Sequence, residues 1–172
     1  KDFHILNNDK VIIKDRPDDI CGDFVSMNKI ISNDIENIDA ETFLMTHTTN
    51  PLLLSATIEN AIDKYLLGLN SGYDSLFTVN QAQTRFYDAN IKPLNHDPQN
   101  LIRTQDLPVW YEENSNLYLF SKDSFSKNSA RVGENPQILV SNSIESTDID
   151  TPDDWDLAEV LVEYYKKKGI IL

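Results

Sequence analysis

Glycine is scarce in this chain: 172 residues contain only 5, scattered singly. A glycine-rich loop that cradles phosphates on backbone N–H groups is therefore not present in the sequence. Cysteine is scarcer still. Cys21 stands alone, which rules out an intrachain disulfide framework and fits a reducing cytosol. Cys21 itself is expected to be a small buried apolar residue. Three histidines, His4, His47 and His96, are too far apart for zinc-ligand spacing. Basic residues are few, 15 against 28 acidic, for a net charge of -13 and a pI near 4.4. This balance argues against a general nucleic-acid binder and against binding to an anionic membrane. It leaves room for an anionic nucleotide, which a few arginines and Mg²⁺ can bind locally. No apolar run is long enough to span a bilayer, and the N-terminus has no signal-peptide pattern. A cytoplasmic protein is the expectation. No Ser/His/Asp arrangement stands out.

What is present suits a packed domain. Hydrophobic residues make up 40% of the chain, enough for one globular core across 1–172. Val11-Ile12-Ile13 reads as a short strand stopped by Pro17, and the spacing of apolar residues predicts a helix over 24–31. A strand is expected at Phe43–His47, then an amphipathic helix with Ile58, Ala61, Ile62, Tyr65 and Leu66 on one stripe. A further strand covers 74–80. This alternation predicts an α/β domain with a largely parallel sheet. Residues 81–115 break the rhythm and are rich in Asn, Gln, Asp and Pro. A connection of that length is usually functional or part of an interface. Strands return at 116–120 and 137–140, and a helix closes the chain from Pro152 to about Lys168. Thr151 suits its N-cap, Pro152 its first position, Asp154 a capping box and Gly169 its C-terminal cap.

Chemistry concentrates in a few segments. Asp148 and Asp150 alternate around Ile149, so on a strand end both face one way. Two such carboxylates suit Mg²⁺ with positions left for water and phosphate; a solvated strand end is the equal alternative. Asp153 and Asp154 are read as helix-capping acids. Thr46-His47-Thr48-Thr49-Asn50-Pro51-Leu52 follows a strand, where ligands of open α/β sheets sit, but capping of the next helix explains it as simply. Arg103-Thr104-Gln105-Asp106-Leu107-Pro108, with Tyr111 to Asn114, suits a carboxylate-bearing polyol held by a bidentate Arg. Its simpler role is an exposed arm whose Arg pairs with a nearby acid. Arg16, Arg85 and Arg131 also fall in polar loops.

Taken in order, several segments resemble the acylneuraminate (CMP-sialic acid) cytidylyltransferase family. They are Arg16-Pro17, Gly22-Asp23-Phe24-Val25-Ser26, Thr48-Thr49-Asn50-Pro51-Leu52 and Arg103-Thr104-Gln105-Asp106-Leu107-Pro108. Asn114 with Leu117-Tyr118, Arg131-Val132-Gly133 and Asp148-Ile149-Asp150-Thr151 with Asp154 complete the series. The resemblance covers about residues 11–165. It implies a three-layer nucleotide-diphospho-sugar transferase-like α/β fold, mostly parallel, with 81–115 as a protruding dimerisation arm. It implies transfer of CMP from CTP to a nine-carbon 2-keto acid sugar, with release of pyrophosphate. Mg²⁺ would sit on Asp148 and Asp150, which would be both metal-binding and catalytic. The substrate-binding set it suggests is Arg16, Ser26, His47, Thr49, Asn50, Arg85, Arg103, Gln105, Asn114 and Arg131. Partners would be CTP, the acidic sugar and a second copy of the chain. Relative to the family the chain begins near the second strand, so the first β-α unit and its basic phosphate loop are missing from this chain, which is not expected to be active alone. His47, Asn50 and Ser115-Asn116 replace the common Gln, Ser and Gly-Ala, which opens the choice of sugar. An eight-carbon keto-acid sugar as acceptor, or a non-catalytic sugar-binding domain, are the alternatives.

Overall fold

A computed structural model describes residues 10–36 and 38–170; His4 lies outside the described residues. The chain divides into two compact units, Lys1–Asp39 and Ala40–Leu172.

In the first unit, residues 11–17 form no strand, and Ile12 and Ile13 are 80% and 67% exposed. A β-branched run needs a paired neighbour to become a strand, and none of the described residues pairs with it. A 3₁₀ turn at Asp18–Ile20 leads to Cys21, which is exposed rather than buried, its thiol 3.4 Å from the Pro17 carbonyl. Helix α1 (Met27–Glu36) starts three residues later than expected and buries Ile30, Ile31 and Ile35. Its start is set by Ser26, whose hydroxyl accepts the Asn28 N–H at 3.3 Å, satisfying one of the donors that a helix N-terminus leaves open.

The second unit is a four-stranded sheet in the order β1-β3-β2-β4 with helices packed on it. Strand β1 is Thr42–Thr46, β2 Ser75–Ala82, β3 Trp110–Ser121 and β4 Pro136–Val140. β3 is antiparallel to β1 and β2, whereas β2 and β4 are parallel. Three strands thus point one way, as the alternation predicts, and β3 makes the sheet mixed. Helix α2 (Ser55–Leu69) buries Ala61, Tyr65 and Gly68 at i, i+4, i+7. Ala61 and Tyr65 meet Leu76, Leu117, Leu119 and Leu139 of the sheet. Each fully buried Leu stabilises the fold by roughly 1.5–3 kcal/mol. A Cβ at Gly68 would lie 1.6 Å from Gln137 Nε2, so any larger residue there would turn the end of that β4 side chain aside. Helix α3 (Lys122–Asn128), unforeseen in a polar two-turn stretch, starts at Ser121, whose hydroxyl accepts the Ser124 N–H at 3.0 Å. Helix α4 (Pro152–Lys168) has the expected ends: a Thr151/Asp154 capping box, Pro152 in the first turn and Gly169 at φ 69°.

Candidate functional site at the carboxyl end of the sheet

Because β3 runs against the others, its first half lies beside the carboxyl ends of β1, β2 and β4. That is the end where open α/β sheets bind ligands. The segment after β4 crosses this end from one sheet edge to the other, about 14 Å at the usual strand spacing. Its crossing is pinned at each strand. The Ser141 N–H donates to the Val79 carbonyl at 3.1 Å. The Ser146 hydroxyl donates to Asn80 Oδ1 at 2.6 Å. The Asn114 amide lies 2.7 Å from Ser141 Oγ and 3.0 Å from both Ser146 Oγ and Asn80 Oδ1. At the far edge, the Ile149 N–H donates to the Thr49 carbonyl at 2.9 Å and the Asn50 amide to the Thr147 carbonyl at 3.4 Å. Beneath the crossing, the buried Glu145 carboxylate accepts the Leu54 N–H at 3.1 Å, at the start of α2. A carboxylate suits the positive end of a helix.

A β-bulge brings Asn114 into this network. The β2–β3 register jumps from Phe77↔Tyr118 to Val79↔Glu113, so Thr78 alone faces Asn114, Ser115, Asn116 and Leu117. The Thr78 hydroxyl closes the gap, accepting the Leu117 N–H at 3.0 Å and donating to the Leu117 carbonyl at 3.3 Å. Ser115 takes a left-handed φ of 59°. Bulges of this kind re-aim side chains near functional sites.

The second cluster surrounds Arg131, in the loop after α3. Its guanidinium carbon lies 3.7 Å above the Tyr118 ring centroid. One terminal nitrogen, Nη2, donates to the Tyr118 hydroxyl at 2.9 Å and sits 3.6 Å from a Glu113 oxygen. The other, Nη1, lies 3.2 Å from His47 Nε2. The Tyr118 hydroxyl in turn donates to Glu113. Burial, then this bond to Glu113, pushes the Tyr118 hydroxyl up to about 12, so the phenol stays protonated. Burial and the neighbouring Arg131 charge lower the His47 pKa, with Asp148 opposing them; neutral imidazole is favoured.

Asp148 and Asp150 are not on a strand. They lie in an irregular segment before α4, both exposed, with Ile149 half-buried between them. Exposure alternates at 148–150, but the strand foreseen there is absent. The Thr49 carbonyl takes the place of a ladder partner. Among the described residues no group of three or more His, Cys, Asp or Glu is arranged to hold a metal.

The structure brings His47, Thr49, Asn50, Asn114, Arg131, Asp148 and Asp150 to one end of the sheet. The irregular connection expected over 81–115 is confined to 83–109, because 81–82 close β2 and 110–115 open β3, and three other candidates sit in it. There Arg103 makes a bidentate pair with Asp106 at 2.7 and 3.0 Å, Arg85 donates to the Ile102 carbonyl at 2.6 Å, and the Gln105 carbonyl accepts from Gln83 at 2.8 Å. Arg16 and Ser26 belong to the first unit, Ser26 as the cap of α1. Sequence reasoning named Tyr118 and Glu113 only inside motif segments, and gave no role to Asn80, Ser141, Ser146 or Glu145. Strand alternation signals that Tyr118 shares a face with Asn116; nothing local signals the others, whose partners are distant in the chain.

No family model matches the chain. Over 128 residues it is 24% identical to post-translational flagellin modification protein B of Campylobacter coli, covering 72% of this chain and 53% of that protein. The chain thus spans about half the length of this curated relative. Among solved structures it is similar to 4-diphosphocytidyl-2C-methyl-D-erythritolsynthase from Anaerococcus prevotii DSM 20548. The TM-score is 0.56 at 9% identity, over 80% of this chain and 67% of that one. This likeness establishes the α/β nucleotidyltransferase-like fold and nothing about substrate. No helix among the described residues is long and apolar enough to cross a membrane.

Proposed function

We propose that this chain is part of a cytidylyltransferase that moves CMP from CTP to a nine-carbon 2-keto acid sugar and releases pyrophosphate. The observation that carries the reading is the gathering of His47, Asn114, Arg131, Asp148 and Asp150 at the carboxyl end of the sheet, from four separate stretches of sequence. The ordered motif resemblance and the fold shared with a protein named as a diphosphocytidyl-sugar-alcohol synthase support it. So does the distant similarity to a flagellin modification protein.

Asp148 and Asp150 would hold Mg²⁺. Two exposed carboxylates two residues apart fit a hard cation that keeps water and phosphate ligands. When bound, the ion would neutralise triphosphate charge. The protein's own part is positioning: nucleotidyl transfer depends chiefly on orientation and charge placement. The pinned crossing segment fixes the two carboxylates, and the Arg131 cluster supplies a held cation beside a neutral imidazole. Asn114 locks the crossing segment to the sheet.

The 83–109 connection is assigned to homodimerisation. Ile91 and Leu101 are 79% and 64% exposed there, and apolar side chains of this kind suit a partner surface. For Arg103 to hold a sugar carboxylate in a partner's site, it would exchange Asp106 for the ligand. A monomeric mass for the full encoded protein would remove this assignment.

The deciding experiment is pyrophosphate release by the full encoded protein with CTP, Mg²⁺ and a panel of nonulosonic acids, with an eight-carbon keto-acid sugar as a separate arm. Release with one nonulosonic acid supports the reading and names the substrate. Release only with the eight-carbon sugar replaces it. No release and no CTP binding would leave a non-catalytic domain.

A further inference from the structure

The Arg131 cluster fixes more than a charge. A guanidinium only donates hydrogen bonds. His47 Nε2, 3.2 Å from Arg131 Nη1, must therefore carry its lone pair, and the ring proton must sit on Nδ1. The guanidinium is itself held in place. It stacks on Tyr118, bonds the Tyr118 hydroxyl and faces Glu113, and its side chain is only 17% exposed. His47 is half-buried at the end of β1 and packs edge-on against the same Tyr118 ring, with centroids 6.4 Å apart. Among the described residues Nδ1 has no hydrogen-bond partner.

An amide side chain at position 47 could turn either its donor or its acceptor toward a ligand. A histidine whose acceptor is occupied by Arg131 has only a donor left. We infer that His47 is a specificity-determining residue, locked as the Nδ1–H tautomer by Arg131, Tyr118 and Glu113, whose Nδ1–H reads an acceptor-only oxygen, carboxylate or carbonyl, on the acidic sugar. Arg131, Tyr118 and Glu113 act through it as positioning residues. The identity of the ligand rests on the proposed function; the tautomer does not.

Two measurements test this separately. Long-range ¹H–¹⁵N correlation on the ¹⁵N-histidine-labelled full protein near neutral pH reads the ring of His47 directly. Wild type should show a protonated Nδ1 and a bare Nε2, and Tyr118→Phe should show mixed tautomers as Arg131 loosens. A wild-type Nε2–H tautomer or an imidazolium overturns the inference. The second measurement is the KM for whichever nonulosonic acid the full protein turns over. His47→Ala should raise it about 10- to 100-fold, the effect of losing a hydrogen bond to a charged group, with kcat changed less. His47→Asn, which keeps a donor at the δ position, should restore KM to within about threefold. An unchanged KM in His47→Ala overturns the ligand-reading role. An analogue with the N-acyl group removed separates the two oxygen sources: if it no longer responds to His47→Ala the oxygen is the acyl carbonyl, and if it still does it is the carboxylate. Should wild type turn over no acid at all, the proposed function fails while the tautomer measurement still stands.

Discussion

Two regions of the second unit are equally polar and behave differently. In the 83–109 connection, side chains bond within the connection itself, some across it, as Gln83 does to Gln105 and Arg85 to Ile102, and several to near neighbours. Asp88 accepts from the N–H groups of Asn90 and Lys92, Asp97 from Gln99, and Arg103 pairs with Asp106 three residues on. At the carboxyl end of the sheet, Asn114 reaches Asn80 and Ser146, Arg131 reaches His47, and Glu145 reaches Leu54. The first pattern is what Asx turns and short ion pairs make wherever a loop must satisfy itself. The second forms only when the sheet is assembled. Polar groups held by distant partners are costly to order, so their convergence is the better mark of a site than their density along the chain.

The sharpest way to break this contrast is at the convergent end. Asp150→Asn should lower pyrophosphate release by the full protein about 100-fold or more while leaving the far-UV CD unchanged. An Asp150→Asn protein with full activity sinks the metal assignment. Next comes Glu145→Ala, which strips the Leu54 N–H of its buried acceptor. Unfolding in urea should show a loss of about 1–3 kcal/mol. A loss near zero would mean that the Glu145 bond does not hold the crossing segment to α2.

Smaller effects follow. Thr151→Ala removes the α4 cap and should cost about 1 kcal/mol in the same assay. Its capping partner sets a pH limit. The Thr151 hydroxyl, then the Thr151 backbone, hold the exposed Asp154 carboxyl below its ordinary value. A depressed carboxylate stabilises the fold above its unfolded pKa and loses that contribution as pH falls through the lower folded value. The cap should therefore persist at mildly acid pH, and the difference between wild type and Asp154→Asn should shrink only in strong acid. The smallest effect belongs to the locally satisfied region. Arg103→Ala breaks an exposed pair with Asp106, so the unfolding midpoint should barely move, by about 0–1 kcal/mol. A large loss would show that the connection is held by more than local partners.

Local signals carried a good part of the fold. Helix α4 was legible residue by residue, because Thr151, Pro152, Asp154 and Gly169 act within one turn of its ends. β1, β2, β4 and the span of α2 were legible from apolar periodicity, although Ile62 and Leu66 of the expected α2 stripe are 36% and 50% exposed. The first half of β3 was not, since Trp110-Tyr111-Glu112-Glu113 becomes a strand only through pairing with β2. The failed strand at 11–13 is the converse, a β-branched run without a partner. In the site, motif order pointed to Asp148, Asp150, Asn114 and Arg131, but not to what they touch.

The sequence by itself determined where α4 begins and ends, where α2 lies and which loops carry polar groups, because those properties are set within a few residues. Only the tertiary structure decided that Asn114 would lock a crossing segment, that Tyr118 and Glu113 would clamp Arg131, and that Arg131 would choose the tautomer of His47. Each of those contacts joins residues that only the pairing of β3 with β1 and β2 brings within hydrogen-bonding distance.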